Sequence, residues 1–185
     1  MAGELFTQDL RRNSATWLLA DPAAFADRTK PTVAELNSTN ERLILDITCA
    51  LDEDGTSFTL GSSEQDTRLS FCDGVGASRP GEINPELVLA IFRDKDRNAT
   101  GAFNKALNWL RHADQMYYLI QRVGDQDTGP TDSTPAAPFT ATDLIRMMGF
   151  RTDFPVDTLA DGDPAMITSN ALTAGFINWN FEPTA

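Results

Sequence analysis

Histidine and cysteine are nearly absent from this chain: among 185 residues, His112 is the only histidine and Cys49 and Cys72 are the only cysteines. Three such residues, far apart, fail a zinc site on ligand count and spacing, so no metal is expected. A secreted disulfide framework lacks its raw material too. Each cysteine lies in a segment of alternating apolar residues and reads as a buried thiol, with one bridge between them as the alternative. Long apolar runs are also missing. No stretch nears the roughly 18 residues of a membrane span, and Met1-Ala2-Gly3-Glu4-Leu5 has neither the basic nor the apolar region of a signal peptide. Synthesis in the cytoplasm is the expectation.

Positive charge is scarce as well. Fifteen basic against twenty-seven acidic residues leave a formal net charge of −12, which disfavours a protein that grips phosphates over a broad basic surface. The same charge suits solubility at high concentration, or a passage through which a polyanion slides without sticking.

The usual footholds of catalysis are not there. His112 falls at the end of a predicted helix, where a cation complements the helix dipole. Gly74-Val75-Gly76 follows a strand, but Arg79 stands where a dinucleotide loop needs its third glycine and Pro80 where its helix would begin, so it reads as a turn. Neither a phosphate-binding Gly-x-x-x-x-Gly-Lys-Ser/Thr nor a Gly-x-Ser-x-Gly elbow occurs. The acidic groups Asp52, Glu53, Asp54 and Asp125, Asp127, Asp132 lack calcium-loop spacing and read as solvated loop charge. A pair of glycosidase carboxylates need not be close in sequence, but nothing supports one. Arg93, Lys95 and Arg97 alternate with Asp94 and Asp96, which suits a salt-bridged connection or a subunit contact. No enzyme activity and no cofactor are expected.

What is present is ordinary globular material, 41% hydrophobic and 23% charged, enough for one domain with a real core. Residues 1–40 read as an extended arm broken at Asp21-Pro22 and Lys30-Pro31. Its Leu5, Phe6, Trp17 and Leu18 need burial on another subunit or on the arm's own domain. Residues 41–185 form the domain. Leu43, Leu45, Ile47, Cys49 and Leu51 alternate along a strand, with Asp46 and Thr48 on the opposite face. Asp52-Glu53-Asp54-Gly55 turns into short strands around Phe58 and Leu60 and around Leu69 and Phe71, and residues 73–85 are a loop.

Residues 86–93 predict a central strand covered on both faces, and Phe103, Leu107 and Leu110 one amphipathic helix. Residues 116–123 predict a strand, followed by a surface loop over 124–138. Residues 142–154 predict a strand interrupted at Gly149, residues 155–164 an acidic loop, and residues 165–172 and 175–181 a hairpin. The whole is mainly β (α+β), a β-sandwich or partly closed barrel of about seven or eight strands with one flanking α-helix.

The stretch Glu86-Leu87-Val88-Leu89-Ala90-Ile91-Phe92-Arg93-Asp94, the helix around Asn104-Lys105-Ala106-Leu107-Asn108-Trp109-Leu110, and Tyr117-Tyr118-Leu119-Ile120-Gln121-Arg122-Val123-Gly124 resemble the central strand-helix-strand of major tail tube proteins of siphovirus-type bacteriophages, particularly actinobacterial-phage members. Pro31-Thr32-Val33-Ala34-Glu35-Leu36-Asn37 resembles the approach to their first strand. The likeness covers the middle half of the chain and rests on order and texture. The longer N-terminal arm departs from it.

The resemblance implies a β-sandwich with a flanking helix, six copies per ring, and stacked rings whose sheets line a channel for DNA. It implies a virion protein assembled in the host cytoplasm, whose partners are its own copies, the tape measure, terminator and distal tail proteins, and double-stranded DNA in transit, with no stable membrane association. DNA carries one charge per about 1.7 Å of axis, so an acidic lumen would ease its passage. Asp46 and Thr48 are then expected to face the lumen, with the outer surface as the alternative. Leu5, Phe6, Trp17 and Leu18 of the arm, and Asp52, Glu53 and Asp54 of the 52–66 hairpin, are expected at contacts between subunits or rings. The rival readings are a single-ring tail terminator, a type VI secretion tube protein, or a small β-sandwich ligand-binding domain or enzyme.

Overall fold

A computed structural model of the chain describes residues 16–52, 54–60, 65–66, 79–80, 85–96, 98–123, 136–158 and 166–185. In chain order the elements are β1 (Trp17–Ala20), α1 (Val33–Leu36), β2 (Ile44–Asp46), β3 (Ser57–Leu60), β4 (Gln65–Asp66), β5 (Arg79–Pro80), β6 (Pro85–Phe92), α2 (Ala102–Leu110), β7 (Met116–Val123), β8 (Leu144–Thr152), β9 (Val156–Thr158) and β10 (Met166–Phe181). The fold is mainly β, as the alternating and apolar runs predict. Strand pairing follows the order β2-β1-β7-β8-β10-β6-β3, with β9 added on β10 and β4 paired with β5 apart from the rest. Among the described residues this path does not close into a barrel.

The chain divides into two compact units. One comprises Met1–Ala50, Tyr118–Met148 and Ile177–Ala185. Here β1 pairs antiparallel with β2 on one side and β7 on the other, setting Leu19 opposite both Leu45 and Leu119. Leu18, Leu19, Ala20, Ile44, Leu45, Leu119 and Ile120 are buried, each larger side chain contributing about 1.5–3 kcal/mol. Residues 17–40 therefore fold within the same unit as residues 41–50. α1 is only one turn, held by a capping box between Thr32 and Glu35 that satisfies N–H groups at its start. The second unit, Leu51–Tyr117 and Gly149–Phe176, has β6 between β3 and β10, both antiparallel, with Leu87, Leu89, Ala90 and Ile91 buried. α2 runs beside it, its Phe103 ring 6.0 Å from Phe92 and its Trp109 ring 5.2 Å from Tyr117. Buried Asn104 donates to the Asp96 and Ala99 carbonyls, each at 2.8 Å, tying the approach loop to the helix.

Five expectations need correction. The strand expected over residues 43–51 stops at Asp46, and Thr48–Ala50 form a 3-10 turn. The Asp46 carboxylate accepts from the Thr48 N–H and hydroxyl, and such local bonding competes with a ladder. The turn leaves Cys49 exposed, contrary to the buried thiol expected. Gly149 does not interrupt β8, where it is buried between Met148 and Phe150. The acidic loop expected at 155–164 contains β9. The hairpin expected over 165–181 is one 16-residue strand, β10, because an isolated Gly175 without Asn, Asp or Pro beside it does not force a turn. The strand expected around Leu69 and Phe71, and Cys72, lie outside the described residues.

Candidate functional site

β1 and β2 bring Trp17, Asp46 and Thr48 together. The Thr48 hydroxyl donates to Asp46 Oδ1 at 2.7 Å and accepts from the Trp17 N–H at 2.8 Å, and the Ile47 N–H donates to the Trp17 carbonyl at 2.9 Å. Asp46 is exposed, Trp17 and Thr48 are half-buried, and Leu18 lies in the core at 5% exposure. Asp46 thus offers solvent a carboxylate whose position is fixed by its turn.

Asp52 and Asp54 belong to the other unit. The Asp52 N–H donates to the Ala90 carbonyl at 2.9 Å, and Asp52 Oδ2 accepts from the Gly55 N–H at 2.7 Å. Asp52 is half-buried and Asp54 exposed, so the first builds the turn and the second decorates it. Leu5, Phe6 and Glu53 lie outside the described residues, as do Arg97, Asp125, Asp127 and Asp132. Arg93 pairs with Asp157 at 3.4 Å, while Asp94 and Asp96 accept from the backbone N–H of Asp96 and Asn98. His112 follows α2 and accepts from Arg111 Nε at 3.0 Å. Among the described residues no group of three or more His, Cys, Asp or Glu is placed to hold a metal ion. No helix there is long and apolar enough to cross a membrane.

Two anchoring constellations were not singled out by sequence. Arg122, 2% exposed, donates from Nε and an Nη to Asp143 Oδ2 at 3.1 and 2.6 Å and to the carbonyls of Ala137 and Pro138 at 2.7 and 2.6 Å. Its guanidinium also lies 4.2 Å from the centre of the Phe139 ring. Asn37 grips the same segment, accepting from the Phe139 N–H at 2.7 Å and donating to its carbonyl at 2.9 Å. The signal for Arg122 was its place in alternation with Tyr118 and Ile120, which puts a charge on an inward face. Asn37 carried no such signal.

The segment Pro31-Thr32-Val33-Ala34-Glu35-Leu36-Asn37 thereby joins distant chain. Thr184 exchanges backbone bonds with it, donating to the Pro31 carbonyl and accepting from the Val33 N–H, while Leu36 is buried and Asn37 holds Phe139. A family model described as phage tail tube protein matches residues 6–180.

The chain belongs to the phage tail tube protein family.

The match spans both units and nearly all of the chain. No curated protein matches it. Family membership makes the chain a structural component of a phage tail, one that assembles with itself and with other tail proteins. Within the chain, Asn37, Arg122 and Asp52 anchor the segments they bond to.

Proposed function

We propose that the protein builds the tail tube of a siphovirus-type phage by forming rings of six copies that stack around a continuous channel, through which DNA passes into the host. The family match over residues 6–180 carries this reading. The net charge of −12 supports the channel, because a polyanion is not held by an acidic surface. In this reading exposed Asp46, with Thr48 holding its turn, faces the lumen. Leu5, Phe6 and half-buried Trp17 of the arm, and the turn containing Asp52, Glu53 and Asp54, serve contacts between copies or rings, whereas Leu18 is buried in the core of its own unit. Assembly takes place in the host cytoplasm, and the tube's other neighbours are the tape measure, terminator and distal tail proteins.

Negative-stain electron microscopy of the purified protein across a concentration series tests the proposal. Long hollow tubes of stacked six-fold rings are expected. Isolated rings that never stack would instead point to a terminator-like role, and monomers throughout would count against self-propelled tube formation.

A further inference from the structure

Thr32 serves two structures with one stretch of backbone. As the N-cap of α1 it stands in extended conformation just outside the helix, with φ −90° and ψ 156°. The capping box holds it from one side. The Thr32 N–H and hydroxyl both donate to Glu35 Oε2, at 2.8 and 2.9 Å, and the hydroxyl accepts from the Glu35 N–H at 3.2 Å. Glu35 Oε1 accepts from the Ala26 N–H at 2.8 Å, so both oxygens of the carboxylate fix the approach to the helix.

The other side of the same residue receives distant chain. Thr32 pairs with Thr184 in a parallel bridge, Thr184 donating to the Pro31 carbonyl at 3.0 Å and accepting from the Val33 N–H at 2.8 Å. The Thr184 hydroxyl lies 3.4 Å from the Lys30 and Pro31 carbonyls. Pro183 is buried, while Glu182, Thr184 and Ala185 are exposed. All of these residues belong to the same compact unit. A hold this narrow depends on the shape of its receiver.

A β-bridge needs extended dihedrals, and an extended Thr32 is what the cap supplies. With the capping box made, the Pro31 carbonyl and the Val33 N–H are both presented to Thr184. Without it, docking has to order the receiving backbone as well as bond to it, at about 1–2 kcal/mol per residue fixed. We propose that the Thr32–Glu35 capping box and the Glu182–Ala185 segment form a two-position latch: closed with Thr32 capped and Thr184 docked, open with both released, while the β1-β2-β7 sheet stays folded. Glu35 is the positioning residue of the closed state, acting on Thr184 through Thr32. The inference does not depend on the tail tube reading. Coupling between two such ends is reciprocal, so a change at either one is felt at the other.

Hydrogen exchange resolved to single amides in the full chain, at a concentration too low for assembly, tests the latch from both ends. Glu35→Ala is expected to speed exchange of the Thr184 and Val33 N–H groups at least about fivefold. Glu35→Gln keeps one acceptor oxygen and is expected to fall between it and the unsubstituted protein. From the other end, Thr184→Pro removes the N–H given to Pro31 and is expected to speed the Thr32 and Glu35 N–H groups by a similar factor. The Leu19 N–H, inside the sheet, is expected to exchange at its original rate in all three variants. A Thr184 amide indifferent to Glu35→Ala, or Thr32 and Glu35 amides indifferent to Thr184→Pro, overturns the coupling. Equal acceleration of Leu19 overturns it too, because the whole unit is then opening and not a latch within it.

Discussion

Arg122 takes a positive charge into the first unit's core, where a guanidinium is tolerated only if its donors are satisfied and its charge is paired. Asp143, two carbonyls and the Phe139 ring do this together. Arg122→Ala would strand the partly buried Asp143 carboxylate and orphan the Ala137 and Pro138 carbonyls, so a loss of about 3–5 kcal/mol is expected, read from urea unfolding. Replacing both partners, Arg122→Met with Asp143→Leu, should cost less than the single change, because no buried charge is left unpaired. Glu35 offers a second test. Burial pushes its carboxyl up, but the N–H groups of Ala26 and Thr32 and the Thr32 hydroxyl together hold it below the ordinary glutamate value. A carboxyl depressed in the folded state stabilises above its unfolded pKa and loses that contribution as pH falls through its folded one. Glu35→Gln is therefore expected to flatten the acid limb of the melting temperature against pH, with the wild type losing its advantage in the acidic range below the ordinary glutamate value.

At the scale of elements, the central strand, the helix and the strand after it were legible: β6, α2 and β7 fall within a residue or two of the spans expected from apolar runs and helical period. Short-range competition was harder to read. Asp46 captures Thr48 and ends β2, a local bond that alternation does not reveal. Length in β10 was hidden for the opposite reason. Gly175 reads as punctuation, yet a single glycine is accommodated in a strand with hydrogen-bonded neighbours. Gly55 is a different case, since a Cβ there would lie 2.6 Å from the Ala90 Cβ and 2.7 Å from Asp52 Oδ2. The turn approaches β6 too closely for any side chain. Gly55→Ala is expected to destabilise by about 1–3 kcal/mol through overpacking, seen as a lower midpoint in thermal unfolding.

For the whole molecule the dominant long-range term is its acidity. Copies that assemble must overcome mutual repulsion, which is screened over a Debye length of about 10 Å at 0.1 M salt and about 3 Å at 1 M. Raising sodium chloride across that range is expected to lower the concentration at which assemblies appear, measured by sedimentation. Assembly that weakens steadily with salt would instead point to interfaces built from opposite charges. The arm belongs to the same scale. Since β1 lies between β2 and β7, its strand builds the first unit, and residues 1–15 are the part of the arm whose removal probes contacts with other copies.

The sequence alone determined the class of fold, the order of its central elements and the absence of familiar catalytic motifs, because these rest on periodicity, composition and spacing within short windows. It also carried the family likeness along the middle of the chain. Tertiary structure alone decided that Asn37 and Arg122 meet the segment around Phe139, that Gly55 lies against Ala90, and that Phe154 and Val156 are left in solvent. Each depends on which distant backbone groups come within hydrogen-bonding or van der Waals reach, and that is fixed by the packing of elements far apart in the chain.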